Sequence, residues 1–138
     1  MDGDLEIRIE PGAGTPLWRQ IEEGVRRAVA SGRLAPGRAV PSVRELAVRL
    51  MVNPATVARA YRRLMETGLL EVRRGEGTFV ARAVGERLGE LREREISRAA
   101  ARYAGEAAAL GVDVEAACRA VREAWPGETA REDGDGGA

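Results

Sequence analysis

The side chains best suited to chemistry are cationic and amide groups gathered mid-chain. Asn53 and Thr56 precede Arg59, Arg62 and Arg63, Arg44 lies upstream, and Arg74, Gly75 and Gly77 lie downstream. A guanidinium offers a planar fork of N–H donors that matches a phosphate or the edge of a guanine. An Asn amide suits adenine and a Thr hydroxyl suits either partner. Glycines let a backbone approach a sugar-phosphate chain closely. Other chemistry is poorly equipped. The chain has no histidine, the commonest general base and metal ligand. Cys118 is its single cysteine, so a zinc site would need one thiolate and carboxylates. No phosphate loop or cofactor motif is present. We therefore expect no catalytic residue, no metal and no cofactor.

Net charge is zero over 138 residues, with 22 basic and 22 acidic side chains. All the basic ones are arginine, which a GC-rich genome would explain. The distribution says more than the sum. Residues 31–82 hold ten Arg against four acids, and residues 83–138 hold eight against twelve. Phosphate attraction is a local property, so a basic front and an acidic rear suggest two tasks. No apolar run approaches the ~20 residues of a membrane span. The acidic start Met1-Asp2-Gly3-Asp4 reads against a secretory signal. A lone cysteine forms no intrachain disulfide, and the cytoplasm is the expected compartment.

Certain elements must position these groups. Residues 5–9 alternate with period two and predict a short strand. Thr15 is the expected cap of a first helix with Pro16 at its first position, and Leu17, Ile21, Val25 and Ala28 form its buried face up to Gly32. Residues 34–41 are turn-rich. Ser42 and Glu45 make a capping box for a short second helix with stripe Val43, Leu46, Ala47 and Leu50. After Met51-Val52, Asn53 caps a third helix with Pro54 in its first turn. Val57, Ala60, Tyr61 and Leu64 form its inner stripe. Ala55, Arg59, Arg62 and Glu66 lie opposite, with Thr56 and Arg63 on one flank. Gly68 closes the helix. Residues 69–73 and 78–82 predict a hairpin across Arg74-Gly75-Glu76-Gly77.

Two short helices with a tight turn, followed by a hairpin, predict a winged helix-turn-helix. Beyond it, Ile96, Ala99, Ala100, Tyr103, Ala107 and Leu110 share a helical stripe, with Leu88 at its edge and Leu91 off it. Asp113 caps a last helix with stripe Val114, Ala117, Cys118, Val121 and Trp125. The expected fold is mainly α with a small β wing. Residues 1–82 form the winged helix-turn-helix, 83–125 a helical hairpin for dimerisation, and 126–138 a disordered acidic tail.

Pro16-Leu17-Trp18-Arg19-Gln20-Ile21, Pro41-Ser42-Val43-Arg44-Glu45-Leu46-Ala47, Val52-Asn53-Pro54-Ala55-Thr56-Val57, Ala60-Tyr61 with Leu64, and Gly75-Glu76-Gly77-Thr78-Phe79-Val80 together resemble the GntR family of bacterial regulators. The resemblance runs over residues 5–82 without a gap. It implies a dimeric repressor of its own or a neighbouring operon, bound to a near-palindromic double-stranded operator and released by a small effector that the sequence does not identify. Arg44 matches the family's DNA-contacting Arg at the start of the second helix. Asn53, Thr56 and Arg59 fall on the recognition helix, and Arg74, Gly75 and Gly77 match the wing. Met51 departs from the usual Gly of the turn, and Ala55 replaces a common polar residue. Only a short segment follows the wing, as in the YtrA-type subfamily, whose two helices mainly dimerise and whose members often neighbour ABC-transporter genes.

Plainer readings stand beside these. Arginines on an outer helix face are ordinarily just solvated, and the adjoining turn and wing count against that here. Arg44 also belongs to the capping turn, Asn53 caps whatever else it touches, and Gly75 and Gly77 also suit a plain hairpin. Cys118 is expected in a core rather than reactive. Tyr103 and Trp125 are expected in core or dimer packing. A winged-helix protein-interaction module that has lost DNA binding is the competing function.

Overall fold

The computed structural model describes residues 5–127. Helices α1 (Leu17–Ala30), α2 (Val43–Leu50) and α3 (Pro54–Glu66) precede a two-stranded ribbon of β1 (Leu70–Arg73) and β2 (Gly77–Val80). A 3-10 segment, Arg82–Arg87, leads into the long α4 (Leu88–Ala109), and α5 (Val114–Ala124) follows. The chain divides into two compact units between Glu95 and Ile96. None of the described helices is long and apolar enough to cross a membrane.

The first unit closes its own core. α1 contributes Ile21, Val25 and Val29, α2 Leu46 and Ala47, and α3 Val57, Ala60, Tyr61 and Leu64, all buried. Burial of each large apolar side chain stabilises by about 1.5–3 kcal/mol. Ser42 caps α2 by accepting from the Glu45 N–H at 3.1 Å, and Asn53 caps α3 by accepting from the Ala55 N–H at 2.8 Å. Both caps agree with the sequence reading. Between them, the buried Tyr61 hydroxyl donates to the Pro41 carbonyl at 2.6 Å, tying α3 to the entry of α2. Burial pushes this phenol above its ordinary pKa, with Arg49 opposing and Glu45 adding, so it remains a donor.

Four expectations about this unit change. Residues 5–9 are not a strand. Their alternation is real, because Leu5 is buried and Ile7 and Ile9 are half-buried against the core. They pair with no strand among the described residues, and a side chain anchors the chain just beyond them. The Gln20 amide oxygen accepts from the Glu10 N–H at 2.7 Å, and its nitrogen donates to the carbonyls of Glu10 and Thr15 at 3.0 and 2.8 Å. The segment lies so close to α1 that a Cβ on Gly24 would sit 3.0 Å from Ile7. The cap of α1 also moves. Pro16, not Thr15, is the capping residue, with no side-chain bond, because the Thr15 carbonyl is already engaged by Gln20.

The stretch before α2 is more than a turn. Ala39 pairs with Phe79 in an isolated bridge. Gly37 N–H donates to Val80 O at 2.8 Å, Val80 N–H to Arg38 O at 2.8 Å, and Val40 N–H to Thr78 O at 2.9 Å. β2 is thus bonded on both edges, which holds the wing against the body of the unit.

The unit also extends past the boundary read at residue 82. Val84 and Leu91 are buried in its core. The Arg92 Nε donates to the Ala30 carbonyl at 2.9 Å. Arg26 bridges Glu22 at 3.3 Å and Glu95 at 2.8 Å. The first part of α4 therefore belongs to the winged unit.

The second unit is the remainder of α4 with α5. Gly111 (φ 75°) lets the chain reverse, and Val112 N–H donates to Ala107 O at 2.9 Å. Asp113 caps α5 by accepting from the Ala116 N–H at 2.8 Å. The Tyr103 hydroxyl donates to the Ala117 carbonyl at 2.8 Å. Ala107 and Ala117 are buried in the crook. Cys118, expected in a core, is exposed in the single chain, because α5 has only one other helix to pack on. Of the expected tail 126–138, residues 128–138 lie outside the described residues.

Candidate nucleic-acid interface

Arg44 stands in the first turn of α2 and is exposed. It shares a shallow depression with Ala47, Val48, Met51, Val52 and Pro54, so the turn geometry brings it beside the start of α3. Met51 makes that turn in the left-handed region (φ 54°, ψ 48°), where glycine is the easier residue. Asn53 spends its Oδ1 on the Ala55 N–H, which leaves its amide nitrogen to donate elsewhere. Thr56 is half-buried in the first turn of α3, while Ala55 is exposed.

The arginines of α3 differ from one another. Arg63 is exposed and pairs with Glu66 at 3.8 Å, a long surface contact that a phosphate would readily displace. Arg59 is exposed, yet its guanidinium lies 4.3 Å from the ring centroid of Trp18 in α1. Arg19 approaches the same ring at 5.3 Å. The helical pattern placed Arg59 outward but gave no sign of this partner, because it lies on another helix.

At the wing, Arg74, Gly75 and Gly77 are all exposed. Gly75 (φ 79°) and Gly77 (φ 124°) hold conformations that side chains resist, and a Cβ on either would meet nothing within 4 Å. The glycines thus serve the turn, and they also leave the tip bare. Arg73 stacks on Phe79 at 4.1 Å and pairs with Glu71 at 3.0 Å, so it braces the wing. Arg74 beside it forms no ion pair among the described residues.

A three-helix core, a helix-turn-helix made by α2 and α3, and a hairpin bonded back to the body define a winged helix-turn-helix protein. Residues 17–80 match the family of bacterial regulatory proteins called the gntR family. The chain is 39% identical over 106 residues to the HTH-type transcriptional regulator Rv1152 of Mycobacterium tuberculosis, covering 77% of this chain and 83% of that protein. It is 40% identical over 75 residues to the HTH-type transcriptional repressor YtrA of Bacillus subtilis, covering 54% of this chain and 58% of that repressor. A GntR family transcriptional regulator from Listeria monocytogenes superposes with a TM-score of 0.73 at 27% identity, over 85% of this chain and all of that one. The chain belongs to the GntR family of DNA-binding bacterial transcription regulators and is of the YtrA-like kind.

Proposed function

We propose that this chain is a cytoplasmic homodimeric repressor of its own or a neighbouring operon, bound to a near-palindromic double-stranded DNA operator. Arg44, Asn53, Thr56, Arg59 and Arg63 contact the major groove and its phosphates, and Arg74, Gly75 and Gly77 contact the flanking backbone. The observation that carries this reading is the arrangement of donors. On α2, α3 and the wing, six arginines (Arg44, Arg49, Arg59, Arg62, Arg63 and Arg74) are exposed against three acids (Glu45, Glu66 and Glu76), so the outer surface carries an excess of cationic donors. The partner surface is formed by Ile96, Ala100, Tyr103, Leu110, Val114, Cys118, Val121 and Trp125 of two chains, while Ala107, read from the sequence as part of it, is buried within the hairpin of one chain. A two-fold axis through it would present two recognition helices about 34–36 Å apart, one turn of the duplex.

The test is selection of duplexes from a random-sequence pool by the purified protein, followed by titration of the winning sequence at several salt concentrations. Affinity should fall steeply with salt, by a log–log slope of about 0.9 for each phosphate contacted. Arg44→Ala should weaken binding by about 1–3 kcal/mol at an unchanged melting temperature. A pool that yields no enriched sequence would favour a winged-helix module that binds protein instead.

A further inference from the structure

The Arg59–Trp18 contact has a geometry that bears on recognition. An arginine stacked on an aromatic ring engages the ring with its flat face, and its N–H donors lie in the plane and remain free at the edge. A long side chain on an outer helix face otherwise samples many rotamers, and ordering it on binding costs affinity. Trp18 is half-buried in the first turn of α1, so its ring is a fixed platform while Arg59 stands exposed above it. The contact is not needed to join α1 to α3, because Ile21, Val25, Val57 and Tyr61 are already fully buried between them.

We propose that Trp18 is a positioning residue for DNA recognition: its indole holds the Arg59 guanidinium over α1 with its donor edge free for the duplex. This rests on the reading of Arg59 as a DNA contact. The shared chemistry is bidentate donation to an anionic or acceptor edge, either a phosphate or a guanine. Arg19 lies farther out on the same ring, at 5.3 Å against 4.3 Å, so Arg59 is the cation held more closely by the indole.

The experiment compares Trp18→Leu, Trp18→Phe, Arg59→Ala and the double variant Trp18→Leu/Arg59→Ala in the full-length chain. The probe is a duplex enriched from a random-sequence pool by the unmutated protein, with a scrambled duplex as control. Arg59→Ala should weaken binding by roughly ten-fold or more. Trp18→Leu should weaken it by about five- to ten-fold, while Trp18→Phe, which keeps a ring, should stay within about three-fold of the parent. The double variant should bind no worse than Arg59→Ala alone, because the two residues act as one unit. Repeating the selection with each single variant should give the same mark. Loss of preference at one shared position identifies a guanine, and an equal fall in salt slope identifies a phosphate. In the free protein the Arg59 side-chain Nε–H resonance should carry a ring-current shift that Trp18→Leu removes.

Multiplicative losses in the double variant would overturn the proposal, as would parental affinity in Trp18→Leu. Parental affinity in Arg59→Ala would overturn both the Arg59 contact and its positioning. A normal Arg59→Ala defect with a harmless Trp18→Leu would overturn only the latter. Melting curves on every variant, with Trp18→Phe as the milder change, separate lost positioning from lost fold.

Discussion

The two compact units treat apolar side chains in opposite ways. In the first, most of the large ones are buried across three helices, a ribbon and the start of α4, with Val48, Met51, Met65 and Val72 left exposed. In the second, Ile96 is 67% exposed, Leu110 81% and Val114 70%, and among its described residues only Ala107 and Ala117 are buried. The same composition rules built both halves, so the difference lies in closure. Three helices and a ribbon surround a core, whereas two helices in a hairpin cover one face of each other and leave the rest open. A fold complete in one chain needs no partner. A pair of helices with this much uncovered apolar surface is where the proposed dimer would form.

The largest expected effect comes from cutting between the two. A chain ending at Glu95 should fold, sediment as a monomer and bind the selected duplex at least about 100-fold more weakly, because linked half-site binding is lost. A chain ending at Arg82 should fare worse. It removes Val84 and Leu91 from the core at about 1.5–3 kcal/mol each, together with the contacts of Arg92 and Glu95 to α1. Against a total stability of ~5–15 kcal/mol, that fragment should melt well below the one ending at Glu95 by circular dichroism. Equal stability of the two fragments would put the boundary back at the wing.

A single charge sharpens the same contrast. Ile96→Glu should disrupt dimers by on the order of 3 kcal/mol, since the charge is buried twice without a partner. It should leave the melting of the Glu95-terminated fragment's fold unaffected in the full chain. Sedimentation equilibrium reads the first effect and thermal denaturation the second. An Ile96→Glu chain that stays dimeric would show that this face is not the interface.

Within the first unit, Tyr61→Phe should cost about 1–3 kcal/mol, because the buried Pro41 carbonyl loses its donor. Its pH dependence has a definite sign. The folded phenol titrates above the unfolded one, so its contribution is whole below the unfolded value of about 10 and is lost as pH rises beyond it. Tyr61→Phe should flatten that alkaline decline. Denaturant titrations at neutral and alkaline pH measure both.

Most of the winged unit was legible because its signals are local. Ser42 with Glu45, Asn53 with Pro54, and the glycines at the wing each fix a nearby backbone, and each was found where the sequence put it. What escaped was non-local. The alternation at 5–9 reports one buried face, but not whether the segment pairs as a strand or, as here, is anchored just beyond its end by the Gln20 amide. Nothing in 37–40 announces pairing to β2. Arg59 reads as outward from its own helix, and only the packing of α1 on α3 reveals Trp18 beneath it. One irregularity in the pattern was itself informative. Leu91 falls off the stripe of α4 because it packs into the first core, so the break in phase marks where the helix changes units.

The smallest expected effect tests a local departure in the turn. Met51 occupies a left-handed conformation (φ 54°, ψ 48°) and is 90% exposed. An L-residue there costs about 1–2 kcal/mol relative to glycine, and so exposed a side chain recovers little of it by burial. Glycine brings its own cost, since its unfolded state is freer by roughly 0.4–1 kcal/mol. The difference predicts that Met51→Gly stabilises the chain by about 0.5–1 kcal/mol, visible as a higher denaturant midpoint at an unchanged slope. The gain should be the same in the full chain and in the fragment ending at Glu95, because the turn lies wholly in the unit that closes its own core. A gain confined to the fragment would mean that Met51 touches the second copy, whose contact glycine gives up. A loss in both would mean that the thioether, beside Val48 and Arg44 in the same depression, makes a contact worth more than the strain it carries.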